Sequence, residues 1–177
     1  MKFAVEIKTR GVDYPRFRRV YHSEAFNQAV AETAKLKERS LKEHVTQPDG
    51  KERRRVRVVP NVTLPGPVQK LFNDGQPLSY EEVTVFDPKT RSATYMIESS
   101  AGEKLKVTGQ ARFDEESDGV RLRFDGEAKV DVFGVGSIIE RFIIGEVKQR
   151  YEIVERLMQN FIDEHKDQEL APAAPAE

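Results

Sequence analysis

The charged side chains most able to do chemistry are predicted to lie on strand faces that are otherwise apolar. Alternation along the strands places Glu81 on the inner face of a sheet, and it places Glu43 opposite Arg54 if 47–50 forms the hairpin loop. A carboxylate inside a cavity must be paired, hydrated or shifted in pKa, so these groups could hold the polar head of a ligand. The plainer interpretation, which we favour, places them at the rim of the sheet in water.

Other familiar chemistry has no support in the sequence. There is no cysteine, and His22, His44 and His165 are scattered without the spacing of metal ligands. Gly134 and Gly136 lack the third glycine of a dinucleotide-binding loop, and no serine nucleophile elbow occurs. We therefore predict no catalytic residue, no metal and no cofactor.

A basic run at 51–57 (KERRRVR) stands out beside Arg16, Arg18 and Arg19. Such a surface could meet anionic lipid head groups or nucleic acid. The plainer interpretation is a solvated strand face that is balanced by nearby glutamates. Aromatic residues for base stacking are absent from the run, so we predict no nucleic-acid binding and, if the patch is functional, transient contact with an anionic membrane.

One long helix from Ser137 to Lys166 has to be covered by the rest of the chain. Ser137 and Glu140 have the spacing of a capping box. Behind them a wide apolar stripe recurs at helical spacing, which cannot stay in water. The stripe contains Ile139, Phe142, Ile143, Val147, Tyr151, Val154, Leu157, Met158 and Phe161.

The preceding chain predicts a first strand, two short helices and six antiparallel strands in meander order. Pairing Phe113 with Val120 brings only apolar or glycine residues onto one face, which places Leu105, Val107, Leu122 and Phe124 inward. Carrying the register back through the next two turns also points Met96, Val85, Val83 and Glu81 inward. A bulge in the second of those turns would instead direct Tyr80, Tyr95 and Ile97 inward.

Length and hydropathy indicate one domain. The chain has 177 residues and a net charge of −1, and it contains no apolar run long enough to span a bilayer and no signal-peptide core. We expect a cytoplasmic protein with a domain at 1–166 and a disordered Ala/Pro-rich tail at 167–177.

This order of elements resembles the START-like superfamily (SRPBCC, helix-grip), an α+β fold in which a curved seven-stranded antiparallel sheet wraps a long C-terminal helix. The stretch 14–27 (YPRFRRVYHSEAFN) is similar to its first helical hairpin, and 134–140 (GVGSIIE) is similar to the start of its last helix. Both also resemble bacterial START-like proteins of unknown function and the VASt-type sterol-binding domain.

The resemblance implies a cavity between sheet and helix that binds or transfers a hydrophobic small molecule or lipid. Two alternatives remain open: a cyclase- or aromatase-like enzyme that uses Glu81 or a tyrosine, and a partner-binding domain with a filled core. Leu71 and Phe72, in the long loop 61–76, would form a gate. The expected lining is Glu81, Val83, Val85, Met96, Leu105, Val107, Phe113, Leu122 and Phe124, with Ile139, Phe142, Ile143 and Val147 opposite.

Overall fold

The structure, a computed structural model, describes residues 1–61, 63, 66–69, 78–99, 102–165 and 169–173. Its elements confirm the predicted α+β class and chain order. They are β1 (Lys2–Arg10), α1 (Tyr14–His22), α2 (Glu24–Thr33), β2 (Glu38–Thr46), β3 (Glu52–Val59), α3 (Gly66–Gln69), β4 (Tyr80–Asp87), β5 (Ser92–Ser99), β6 (Leu105–Glu116), β7 (Gly119–Val130) and α4 (Gly136–Glu164).

The seven strands form one antiparallel sheet in the order β1-β7-β6-β5-β4-β3-β2. The long helix α4 lies across one face and contacts β1 and β7, while α1 and α2 pack against α4 from the side. This is the predicted helix-grip arrangement. It exists because an apolar helical stripe and an apolar sheet face can both leave water only by meeting each other.

Local capping explains why two short helices follow β1. The side chain of Asp13 accepts a hydrogen bond from the backbone N–H of Arg16 at 2.8 Å, and Ser23 accepts one from the backbone N–H of Phe26 at 3.2 Å. Helix α1 buries Phe17 and Val20, and α2 buries Phe26 and Val30, in a core cluster with Met158 of α4. A second cluster forms around Phe124 and Ile139 near the start of α4.

The predicted capping box of α4 is wrong. The helix begins at Gly136 behind Val135, and no side chain caps it. The carboxylate of Glu140 instead accepts a hydrogen bond from the backbone N–H of Val130 at the end of β7, at 3.0 Å. The side chain of Glu140, which the local sequence predicted to cap α4, therefore binds the end of β7 instead.

The inner face of the β6–β7 hairpin is as predicted, but its register is shifted by one pleat. Phe113 pairs with Leu122 rather than with Val120, because the hairpin loop contains only Ser117 and Asp118, between Glu116 and Gly119. An even shift keeps every side chain on its predicted face. Leu105, Val107, Phe113, Leu122 and Phe124 are all buried.

Both β4 and β5 are turned over relative to the prediction. Val83 of β4 is opposite Met96 of β5, so these residues share a face as predicted, but Ile97 of β5 faces Val107 of β6. A 3₁₀ turn at Gly102–Lys104 completes the β5–β6 connection and shifts the alternation by one residue. Glu81, Val83, Val85 and Met96 therefore lie on the outer face. The residues turned inward are those of the alternative, Tyr80, Tyr95 and Ile97, although the shift arises in a different turn.

Glu43 and Arg54 are not opposite each other. Thr46 pairs with Glu52, so the hairpin loop is 47–51, and a bulge separates Leu41 from Glu43. Arg54 alone of the three consecutive arginines 53–55 points inward. The outward ones form ion pairs, Arg53 with Glu43 at 2.8 Å and Arg55 with Glu98 at 2.7 Å and with Glu81. These pairs favour the plainer interpretation of the basic run.

Residues 169–173 run beside the junction of α1 and α2. The backbone N–H of Ala173 donates to the carbonyl of His22 at 3.0 Å, that of Glu24 donates to Ala171 at 3.0 Å, and Leu170 packs against the core. The domain boundary at 166 and the disordered tail at 167–177 both remain predictions. None of the helices in the described part of the chain has the length and apolar character needed to cross a bilayer.

Candidate ligand-binding cavity

The inner face of the sheet and the first half of α4 enclose an apolar chamber of about 110 Å³. A single water needs roughly 10–15 Å³ on the same scale, so the space exceeds a trapped water several-fold. Its lining is Phe3, Pro60, Leu78, Tyr80, Glu82, Tyr95, Ile97, Ser99, Leu105, Val107, Phe124, Phe142, Ile143, Glu146, Val147, Arg150 and Tyr151.

A second space, the polar chamber, has a volume of about 120 Å³ and lies toward α1 and α2. The two chambers share Glu82, Tyr95, Phe124, Arg150 and Tyr151, so they adjoin at a mixed polar and aromatic neck. The remaining lining is Arg18, Tyr21, His22, Val30, Arg39, Glu52, Arg54, Val56, Thr84, Phe86, Ala93, Ala111, Phe113, Leu122 and Val154.

Two facing glycines make the floor of the chambers possible. Gly109 and Gly126 pair across β6 and β7. A Cβ at Gly109 would lie 2.6 Å from the ring of Phe124, and one at Gly126 would lie 2.5 Å from the ring of Phe3. Both distances are far below van der Waals contact, so only glycine at these positions lets the two rings pack this close to the sheet.

Most of the predicted lining residues surround these chambers. Leu105, Val107, Phe124, Phe142, Ile143 and Val147 line the apolar chamber, and Phe113 and Leu122 line the polar one. Ile139 is fully buried in the core beside them. Four others are placed on the outer face by the reversal of β4 and β5, so their predicted role in the lining is wrong: Glu81, Val83, Val85 and Met96.

Two further predictions have different outcomes. Leu71 and Phe72, the proposed gate, lie outside the described residues. Glu81 pairs with Arg55 on the outer face, with 28% of its side chain exposed. An enzyme that uses Glu81 in the cavity therefore has no geometric basis.

The inward carboxylate is Glu82, at the neck of the chambers. Its Oε2 lies 3.1 Å from Nη1 of Arg39, its Oε1 lies 3.8 Å from Nη1 of Arg150, and only about 15% of its side chain is exposed. Arg150 also donates a hydrogen bond to the hydroxyl of Tyr80. One carboxylate thus faces two guanidiniums in a largely enclosed site.

The phenols of the neck are protonated groups that can donate hydrogen bonds. Burial raises the pKa of Tyr95 and Tyr151 well above 10, and it also raises that of Tyr80. A phenol with a raised pKa is a poor general base at neutral pH. These side chains are suited to orient a bound polar group rather than to remove a proton.

Arg54 and His22 form the far wall of the polar chamber. Nη1 of Arg54 donates to Nδ1 of His22 at 2.5 Å, which requires that this imidazole nitrogen carries no proton. Burial, followed by the nearby charges of Arg54 and Arg18, holds the pKa of His22 well below its ordinary 6.5. His22 is therefore neutral in the folded protein at neutral pH.

Acid is expected to destabilise the protein through His22. In the unfolded chain His22 takes up a proton as the pH falls through 6.5, whereas the folded chain does not. The unfolded state then binds more protons, so the free energy of unfolding decreases by up to about 1.4 kcal/mol per pH unit below that value. Urea unfolding of the wild type and of His22→Asn on both sides of this pH measures the effect. Equal pH slopes for the two proteins would contradict it.

Three neck residues, Glu82, Tyr95 and Arg150, were absent from the predicted lining. Glu82 and Tyr95 were left out because the favoured register turned β4 and β5 the wrong way. Arg150 carried a readable signal, because it lies three residues after Val147 and four before Val154, within the apolar stripe of α4. A charge at a stripe position predicts a buried polar partner. Within the described ranges, no group of three or more His, Asp or Glu side chains could hold a metal ion.

Solved structures share this fold at very low sequence identity. A protein of Thermus thermophilus, TTHA0849, aligns with a TM-score of 0.60 at 12% identity over 93% of this chain and 98% of that one. The Zhui aromatase/cyclase of Streptomyces sp. R1128 gives 0.54 at 11%, with 94% of each chain covered. Major latex-like protein 151 of Panax ginseng gives 0.54 at 13%, covering 90% and 95%. The fold is thus of the helix-grip kind that these solved structures share.

At the level of sequence, no curated protein matches this chain. A family model does match, and it spans residues 10–162, from the end of β1 to the last turns of α4. The chain therefore belongs to the family described as protein of unknown function DUF2505.

Proposed function

We propose that this protein binds a hydrophobic or amphipathic small molecule, lipid-like in character, between the sheet and α4, and that it does so without covalent chemistry. The observation that carries the proposal is the pair of adjoining chambers, which are lined by apolar side chains and a few convergent polar groups. Ligand sites have this composition, because apolar burial supplies affinity and a few polar groups supply orientation.

Other observations support a binding role over the alternatives. A filled core would leave no space beyond single waters, whereas each chamber exceeds that several-fold. The similarity to a protein named as an aromatase/cyclase supports a cavity in this fold. That protein's activity is not part of the proposal for this chain, since the buried phenols Tyr95 and Tyr151, with raised pKa values, are poor general bases at neutral pH. A closer relation to the VASt-type domain and contact with an anionic membrane both stay predictions.

Native mass spectrometry of the protein purified from its own cells tests the proposal. We expect a species heavier than the polypeptide by the mass of a bound small molecule, and that mass should be released when the same sample is denatured. In parallel, the neutral dye N-phenylnaphthylamine should gain fluorescence on entering the chambers and lose it when fatty acids or sterols are added. Repeated absence of both signals would count decisively against a ligand-binding function.

A further inference from the structure

Arg54 differs from its two neighbouring arginines on the same strand. It follows Arg53 and precedes Arg55, both of which point outward and pair with glutamates. Alternation along β3 turns Arg54 to the opposite face, where it lines the polar chamber together with Val56.

No carboxylate among the described residues lies within 4.0 Å of Arg54, although arginines elsewhere in the chamber are paired. Its one hydrogen bond goes to the neutral ring of His22, and its Nε is buried with no hydrogen-bond partner in the described part of the chain. A guanidinium keeps its proton under all ordinary conditions, so this charge cannot be relieved by titration.

The chamber as a whole has an excess of positive charge. Its lining contains the guanidiniums of Arg18, Arg39, Arg54 and Arg150 but only the carboxylates of Glu52 and Glu82, which leaves two charges unbalanced. Arg18 is matched by Glu52 at 2.8 Å, while Arg39 and Arg150 share Glu82. A neutral ligand would displace water from this wall and leave the excess charge less solvated.

We propose that the ligand is an amphipathic carboxylate, whose head group binds Arg54 in the polar chamber and whose apolar tail passes the neck into the apolar chamber. This inference rests on the proposed binding function and names the class of its ligand. A planar carboxylate matches the fork of a guanidinium and can accept two parallel hydrogen bonds. Phe124 and Tyr151 line both chambers, so a tail that passes the neck would contact these two rings.

Titration calorimetry with four ligands that share one tail tests the head group. Decanoate, decanol, decylamine and decyl phosphate differ only at the end that would meet Arg54. We expect decanoate to bind about tenfold or more tightly than decanol, because a charge-assisted hydrogen bond replaces an uncompensated charge. Decylamine should bind least tightly of the four, since it adds a further cation.

The matched variants are Arg54→Met and Arg53→Met, which remove the same charge from neighbouring positions on opposite faces of β3. Arg54→Met should abolish the preference for decanoate over decanol. Arg53→Met should keep the preference, which would exclude a general effect of net charge. Arg54→Lys retains the charge and should keep part of the preference for decanoate over decanol. It also shows whether the position tolerates substitution.

Three results would overturn the inference. One is equal affinity of the wild type for decanoate and decanol, and another is an unchanged preference in Arg54→Met. The third is a stronger preference for decyl phosphate that depends on Arg54, which would assign the site to a phosphate head group. Binding of decanol and the dye without a preference for decanoate would leave the proposed function intact. Failure of all these probes to bind would overturn both.

Discussion

Replacing Val147 with tryptophan is expected to weaken the binding of apolar ligands strongly. Val147 projects from α4 into the apolar chamber, which has a volume of about 110 Å³. An indole is much larger than an isopropyl group and would occupy the space that a ligand tail needs. We expect the affinity for decanol, measured by calorimetry, to fall by about tenfold or more. The cost in stability should stay within the roughly 1–3 kcal/mol typical of overpacking, because part of the new volume fills empty space.

Gln149→Trp is the matched control, since it adds the same ring to an exposed position of the same helix. The natural chain contains no tryptophan, so each variant carries a single fluorescent reporter. Emission from the indole in the Val147→Trp protein should be blue-shifted relative to that in the Gln149→Trp protein, and it should not change when decanol is added. Tight decanol binding by the Val147→Trp protein, with its indole shown to be buried, would contradict a ligand site in this chamber.

The second large effect concerns stability. Glu82→Gln is expected to lower the free energy of unfolding by about 3–5 kcal/mol, because it leaves the guanidiniums of Arg39 and Arg150 enclosed without a counter-charge. The amide retains the shape of the carboxylate, so the decrease in the free energy of unfolding measures the loss of the negative charge rather than the creation of a cavity. Urea unfolding measures it as a shift of the midpoint at unchanged slope.

The adjacent residue provides the control for this experiment. Glu81→Gln removes the same charge from the outer face, where Glu81 pairs with Arg55 in a more exposed position. A surface ion pair contributes roughly 0–1 kcal/mol, so this variant should be nearly as stable as the wild type. A larger loss for Glu81→Gln would show that the two faces of β4 have been assigned the wrong way round, and equal losses would contradict the greater enclosure of Glu82.

Much of the fold could be predicted because its periods are clear in the sequence. Alternation in β6 and β7 identified their inner face even though the assumed pairing was one pleat off, since an even shift leaves every side chain on its face. The stripe of α4 likewise identified Phe142, Ile143 and Val147 as inward residues. Errors arose where a connection had to be counted through an irregular turn, as at the 3₁₀ turn Gly102–Lys104.

The sequence by itself determined which segments are strands and helices and that an apolar sheet face must cover α4, because these follow from hydrophobic periodicity within each segment. Apart from Arg150, whose position in the apolar stripe of α4 was a signal, only the tertiary structure decided which charged groups are enclosed. Whether Glu81 or Glu82 faces inward depends on a shift of one residue in the turn between β5 and β6. The lack of a carboxylate partner for Arg54 within the described residues depends on which carboxylates the folded chain brings close to it. Such proximities are set by packing between distant segments, and no local pattern encodes them.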